Sequence, residues 1–327
     1  MRKTCLNNIF ALAKRDERVV FIGSDLGVGV LEDMRQEIPE RFFMEGVAEQ
    51  NVIGMAAGLA MEGFVPYVNT IATFLTRRCF EQVAVDLCLQ NLSVRLIANG
   101  GGMVYAPLGP THLAFEDIAI MTALPNMTVV APTDADEMSR FMEKSLDWPG
   151  PIYIRLGKGG DPIVSKDSDG FEIGKAIVLR EPGEIAIIAC GVTVARALKA
   201  AEILAGKGIE CGVINMHTLK PLDHKMVLYV AGHVRTLVTL EEHTLQGGLG
   251  SMVCSLLMDS GEGPHPKVIR MGIPDEFPAG YGSQDTMMES FGLQPTQIAE
   301  KIQKSMQRTK QRTTMPKVTF SQGSFDG

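Results

Sequence analysis

The sequence predicts two doubly wound α/β domains in tandem, and three observations carry that reading. Short apolar, β-rich runs alternate with longer stretches of helical periodicity. The alternation stops at a stretch dense in Gly, Asp, Ser and Lys and then resumes. A chain of 327 residues also exceeds what one ordinary core encloses. In the first half, RVVFIG (18–23), FVPYV (64–68), SVRLIAN (93–99), MTVVA (127–131) and PIYIRL (151–156) read as strands. Helical patterns at 48–61, 74–90, 113–123 and 134–146 lie between them. This βα alternation implies a parallel sheet covered on both faces. The stretch GKGGDPIVSKDSDGFEIGK (157–175) has loop composition. EIAIIAC (184–190), the helix VARALKAAEILAGKG (194–208), IECGVINM (209–216), TLVTLEE (236–242) and KVIRMGI (267–273) then rebuild the alternation. The expected boundaries are a first domain over 1–160, a linker over 161–183, a second domain over 184–307 and a loose or partner-dependent tail over 308–327.

Composition narrows the function classes. A hydrophobic fraction of 45% with 21% charged residues is that of a soluble globular protein. The net charge of −7 argues against nucleic acid or an anionic membrane surface as the main partner. Cys5, Cys79, Cys88, Cys190, Cys211 and Cys254 are scattered, with no CxxC pair, and read as reduced, mostly buried thiols of a cytoplasmic protein. No apolar run approaches the roughly 18–20 residues of a membrane span, and the first twenty residues lack a secretory signal. GSDLGVG (23–29) follows a strand but does not fit GxGxxG, and GxxxxGK[ST], HExxH and Cys/His metal spacings are absent. No metal site is expected on this chain itself.

The informative feature is Glu49 in EGVAEQNVIGMAAGLAMEG (45–63). It shares a helical face with Val52, Ile53, Ala56, Ala57 and Ala60, all apolar. A first-turn glutamate gains only about 0.3–1 kcal/mol from the helix dipole, but small neighbours let a flat ligand approach, and a carboxyl there can share a proton with a ring nitrogen.

This segment resembles the pyrimidine-binding segment of the thiamine diphosphate enzymes of the transketolase group. The resemblance implies that Glu49 bonds the ring nitrogen N1′ of the cofactor's aminopyrimidine and drives the proton relay that activates it. TIATFLTRRCFEQVAVDLCLQN (70–91) resembles the family segment whose aromatic residues stack on that ring. Phe74 matches one such position, Ile71 stands where a second aromatic often sits, and Phe80 is expected in the core. Asp25, in the turn after the first strand, is carried over as a further cofactor contact.

GPTH (109–112) followed by ED and LPNMTVVAPTD is the family's order and spacing. It implies that His112 reaches the donor's reacting oxygen as hydrogen-bond donor and possible proton shuttle. His217, His224, His233, His243 and His265 are expected to be structural or on the surface. TLKPLD (218–223) and EEHTLQGGLGS (241–251) are typical of the family's C-terminal domain, which mainly builds the dimer.

The resemblance runs from Arg2 to about residue 307 but omits the diphosphate-binding domain whose GDG…N motif holds Mg2+. It therefore implies a separate diphosphate-binding subunit that carries Mg2+, in an α2β2 heterotetramer with the active sites at the interface. The polar handles for a sugar phosphate are depleted. Leu108 stands where transketolase places an aspartate, and Gly100 where family members carry a histidine. Arg2 and Lys158 remain at two positions that meet the phosphate. The expected reaction is transfer of a two-carbon ketol or acyl unit to an aldehyde or ketone. Its donor would be a modified sugar or a short 2-oxo acid such as pyruvate. The alternatives are the beta subunit of a 2-oxo-acid dehydrogenase's first component, which GPTH disfavours, and a non-catalytic scaffold of the same fold.

Overall fold

The computed structural model describes residues 1–27, 29–261 and 263–312. The first-half runs become β1 (Val19–Gly23), β3 (Val65–Ile71), β4 (Arg95–Asn99), β5 (Thr128–Val130) and β6 (Ile152–Leu156), with an edge strand β2 (Phe42–Met44) between the first two. The second half supplies β7 (Ile177–Arg180), β8 (Ile185–Ala189), β9 (Cys211–Asn215), β10 (Thr218–Lys220), β11 (Thr236–Thr244) and β12 (Lys267–Ile273). β1, β3, β4 and β6 are buried along their whole length, as strands covered on both faces must be.

On one face the helix Arg2–Arg15 and the helix Ala135–Ser145 set Leu6, Ile9 and Leu12 beside Met138, Phe141 and Met142. On the other, the helix Glu49–Met61 packs Val52, Ile53 and Ala56 against Leu75, Val83 and Leu87. Each fully buried Leu or Ile contributes about 1.5–3 kcal/mol. Asp134 starts the helix Ala135–Ser145 by accepting from the backbone N–H groups of Asp136 and Glu137.

The first sheet has the order β10-β5-β6-β4-β3-β1-β2, and the second β12-β11-β8-β9-β7. β1 lies between β2 and β3, so the winding direction reverses there. In such sheets ligands sit outside the carboxyl ends of the strands at that reversal.

The predicted linker 161–183 is not bare connection. It contains β7, which pairs antiparallel with β9 and extends the second sheet. TLKPLD forms β10, which leaves the second domain and pairs antiparallel with β5, Thr218 opposite Val130. The two domains thus share a strand crossing.

Other expectations need correction. The single helix at 74–90 is a π-helical turn (Phe74–Arg78), a short α-turn (Phe80–Gln82) and a second π-helical stretch (Val83–Cys88). Phe80, expected in the core, is 39% exposed, because the break at Cys79 rotates it out of the apolar stripe. The helix at 113–123 is shortened to Asp117–Thr122, after two 3-10 turns through Ala106–Leu108 and Pro110–His112. The last helix runs from Pro295 to Arg312, so the first residues of the expected tail are helical, and 313–327 lie outside the described residues. No helix among the described residues is long and apolar enough to cross a membrane. The six cysteines are free thiols, five of them buried.

The domains meet around one buried ion pair. Arg155 on β6 donates from Nε and Nη2 to Asp117 at 2.8 and 3.1 Å, and from Nη2 to the Glu242 carbonyl on β11 at 2.8 Å. The Tyr153 hydroxyl donates to Asp117 at 2.8 Å. Removing one partner strands the other charge, so Asp117→Ala is expected to lower stability by about 3–5 kcal/mol in urea unfolding, whereas a joint Asp117→Leu/Arg155→Met exchange loses less. A single variant as stable as the wild type would count against the pair.

Glu137, buried on the helix Ala135–Ser145, accepts from the Thr133 N–H and the Asn215 amide, both at 2.7 Å. Burial pushes its carboxyl up to about 7. It binds its proton more tightly folded than unfolded, so its contribution is fully present below the ordinary carboxylate range and is lost as pH rises through about 7. Glu137→Gln should therefore lose less stability than the wild type between pH 5 and 8, on the order of 2 kcal/mol, read from urea midpoints across that range.

Candidate active site

The predicted residues gather where the carboxyl ends of β1, β2, β3, β4 and β6 open. Glu49 begins its helix directly after the β2 loop and is 2% exposed. A carboxylate this buried requires a partner, and Arg78 Nη1 supplies it at 2.6 Å from Oε2. The Arg78 guanidinium also lies over the Phe74 ring, 4.3 Å from its centroid. Phe74 in turn meets the His112 ring edge-on, centroids 5.4 Å apart. Glu49, Arg78, Phe74 and His112 therefore form one continuous row. Ile71, 9% exposed, ends β3 just before Phe74.

Asp25 stands at the exposed edge of this opening. Ser24 Oγ lies 2.9 Å from its carboxylate and 2.7 Å from Thr70 Oγ1, joining the ends of β1 and β3 across the winding reversal.

Arg2, Gly100, Leu108 and Lys158, far apart in sequence, line a single cleft of about 220 Å³ together with Asn99 and Tyr105. The backbone N–H of Gly157 reaches Met1 Sδ at 3.4 Å, which lays the start of the first helix beside the Lys158 loop. Leu108 is 50% exposed and presents an apolar side chain to the cleft. A larger cavity, about 970 Å³ and lined by Lys220, His224 and Leu256 among others, contains none of these residues. Among the described residues no cluster of three His, Cys, Asp or Glu could hold a metal ion.

The loop that carries His112 is held by the second domain. Glu242 accepts from the Met103 N–H at 2.8 Å and from Gln284 at 2.8 and 3.0 Å. A Cβ at Gly101 would strike Arg155, and one at Gly102 would strike the Glu242 carboxyl, so these glycines let the loop close on both. His243 bonds the Thr244 carbonyl through Nδ1 at 2.7 Å and takes the Ala119 N–H on Nε2 at 3.2 Å. Burial keeps this ring below the ordinary histidine range, and the two bonds fix its neutral tautomer. Glu241 accepts two backbone N–H groups, from Leu249 and Gly250, and burial pushes its carboxyl up to about 7. His217 is likewise buried and held down at about 4.

Three residues of the site are absent from the sequence reading. Arg78 sits four residues after Phe74, a helical spacing that signals a shared face. Asn99 and Tyr105 flank a glycine run, and nothing in their types distinguishes them before the loop is folded.

Two family models match this chain: "Transketolase, pyrimidine binding domain" over residues 1–160 and "Transketolase, C-terminal domain" over 174–298. The chain is 36% identical over 299 residues to the 6-deoxy-6-sulfo-D-fructose transketolase subunit SqwH of Clostridium sp. (strain MSTE9), covering 91% of this chain and 92% of that protein. It is 40% identical over 291 residues to 1-deoxy-D-xylulose-5-phosphate synthase 1 of Geobacter sulfurreducens, where the match spans 88% of this chain but 45% of that longer protein. A solved structure titled "Split gene transketolase, inactive beta4 tetramer" superposes with a TM-score of 0.85 at 36% identity, covering 93% of this chain and 97% of that one. The chain belongs to the transketolase family, as the C-terminal, pyrimidine-binding subunit of a split, thiamine diphosphate-dependent transketolase-like transferase.

Proposed function

We propose that this chain activates thiamine diphosphate for a cytoplasmic enzyme that moves a two-carbon ketol or acyl unit from a ketose or 2-oxo acid to an aldehyde or ketone. Its partner is a separate diphosphate-binding subunit that holds Mg2+, in an α2β2 heterotetramer whose active sites form at the interface. Residues 1–160 supply the pyrimidine side, 161–183 the connection together with β7 of the second sheet, and 184–307 the rest of the second domain.

One observation carries this reading. The buried Glu49 and the face of Phe74 together hold the flat, N–H-bearing guanidinium of Arg78. A carboxylate acceptor beside an aromatic face is also what an aminopyrimidine requires, so the residues fit the cofactor. When bound, the cofactor supplies the nucleophilic carbon. Glu49 would share a proton with the ring nitrogen, Phe74 and Ile71 would pack against the ring, and Asp25 would border it. His112, in edge contact with Phe74, donates to the oxygen on which negative charge develops. Arg2 and Lys158 face the anionic end of the donor, while Leu108 and Gly100 add no polar group of their own to the wall. That pattern suits a modified sugar such as the sulfonated one in the name of a 36% identical relative.

With the diphosphate-binding subunit, cofactor and Mg2+ added, the chain should transfer the two-carbon unit, and alone it should not. In the reconstituted pair Glu49→Gln is expected to lower kcat at least about 100-fold, and His112→Asn by a similar factor with less change in KM. Steady-state kinetics with a panel of donors measures both. Full activity in Glu49→Ala would sink this reading and leave the fold as a scaffold.

A further inference from the structure

Asn99 is 1% exposed and lines the cleft between Arg2 and Lys158. Its amide orientation is set by its neighbours. Nδ2 donates to Asn69 Oδ1 at 2.6 Å and to the Thr70 carbonyl at 3.1 Å, while Asn69 spends its own Nδ2 on the Leu26 carbonyl at 2.9 Å. Both partners of Asn99 Nδ2 are acceptors, so Oδ1 is the free end. That buried oxygen has no hydrogen-bond partner. A buried acceptor left unmatched costs about 1–3 kcal/mol, and its usual explanation is a ligand or water that supplies the donor.

Tyr105 shapes the same cleft. Gly100 has φ +75°, and the Tyr105 ring fills the space that a Cβ there would occupy. A side chain at position 100 and this tyrosine therefore exclude one another. The phenol is half-buried, and burial raises its pKa while the charge of Arg2 opposes that shift.

We propose that Asn99 and Tyr105 are the donor-selecting residues of this chain, recognising a hydroxylated carbonyl donor with an anionic far end. Asn99 Oδ1 accepts a hydrogen bond from the donor's hydroxyl. The Tyr105 ring walls the cleft over Gly100, and its hydroxyl joins Arg2 and Lys158, which line the same cleft, in taking the anion. Tyr105 is thus an anion-binding residue and a steric limit on the donor. This rests on the transferase reading above, but it concerns donor binding rather than activation.

The test uses the reconstituted complex with cofactor, and calorimetric binding as well as turnover. The probes are D-fructose 6-phosphate and 6-deoxy-6-sulfo-D-fructose, which differ in the anion, and hydroxypyruvate and pyruvate, which differ in the hydroxyl. Tyr105→Phe, the substitution least disturbing to the fold, should weaken binding and raise KM for the two anion-ended sugars about tenfold, with kcat and hydroxypyruvate little changed. Asn99→Leu should lower kcat/KM for hydroxypyruvate about tenfold or more relative to pyruvate, and Asn99→Ser, which restores an oxygen, should recover part of that preference. The more strongly affected sugar in Tyr105→Phe identifies the preferred anion. The inference is overturned if neither sugar binds the wild-type complex. It is overturned equally if Tyr105→Phe and Asn99→Leu leave affinities and donor preference unchanged. Binding that shows these dependences without any turnover would instead overturn the transferase reading and leave the recognition site standing.

Discussion

The buried pair Arg155–Asp117 is the constraint on which the rest of this structure depends. Both side chains are nearly inaccessible, at 5% and 0% exposure, and such a pair is tolerated only when its remaining donors and acceptors are matched. Arg155 meets that demand by also reaching the carbonyls of Ala114 and Glu242, and Asp117 by accepting from Tyr153. The strand β6, the helix that follows GPTH and the second-domain strand β11 are thereby fixed to one point. The His112 loop hangs between them, and Gly101 is the residue that lets its backbone pass over the guanidinium.

The second domain consequently does more than the dimer building its sequence suggests. Its EEH segment places three side chains in a row with three tasks: Glu241 holds its own domain's helix start, Glu242 the site loop, and His243 the start of the helix Asp117–Thr122. β10 adds a strand to the first sheet. A domain boundary built from so many matched polar groups leaves little freedom for the site loop to drift.

The row from Glu49 to His112 follows a different logic. There the stabilising partner of the buried carboxylate is a surface arginine, 42% exposed on its side chain, rather than a backbone network. A partner with one foot in solvent can be exchanged for a ligand at modest cost, whereas Arg155 cannot leave Asp117 without stranding a charge. The scaffold and the site thus use the same kind of ion pair at opposite ends of the burial scale.

The sequence by itself determined the two-domain α/β plan, because β1, β3, β4, β6, β8, β9 and β11 are apolar runs whose burial on both faces is a local property of composition. It also singled out Glu49 and His112 as candidates, since a carboxylate at the head of an apolar stripe and a GPTH turn are visible without coordinates. The short edge strands β2, β7 and β10 were not legible, because three or four residues become strands only when a neighbour offers its ladder. The exposure of Phe80 followed from a break in the helix that periodicity does not register. Only the tertiary structure decided that Arg78 lies on Glu49, that Arg2 meets Lys158, and that Asn99 keeps an unmatched oxygen beside the Tyr105 ring. Arg78 and Glu49, like Arg2 and Lys158, come from separate elements, and the distance between such groups is set by the fold rather than by their separation in the chain.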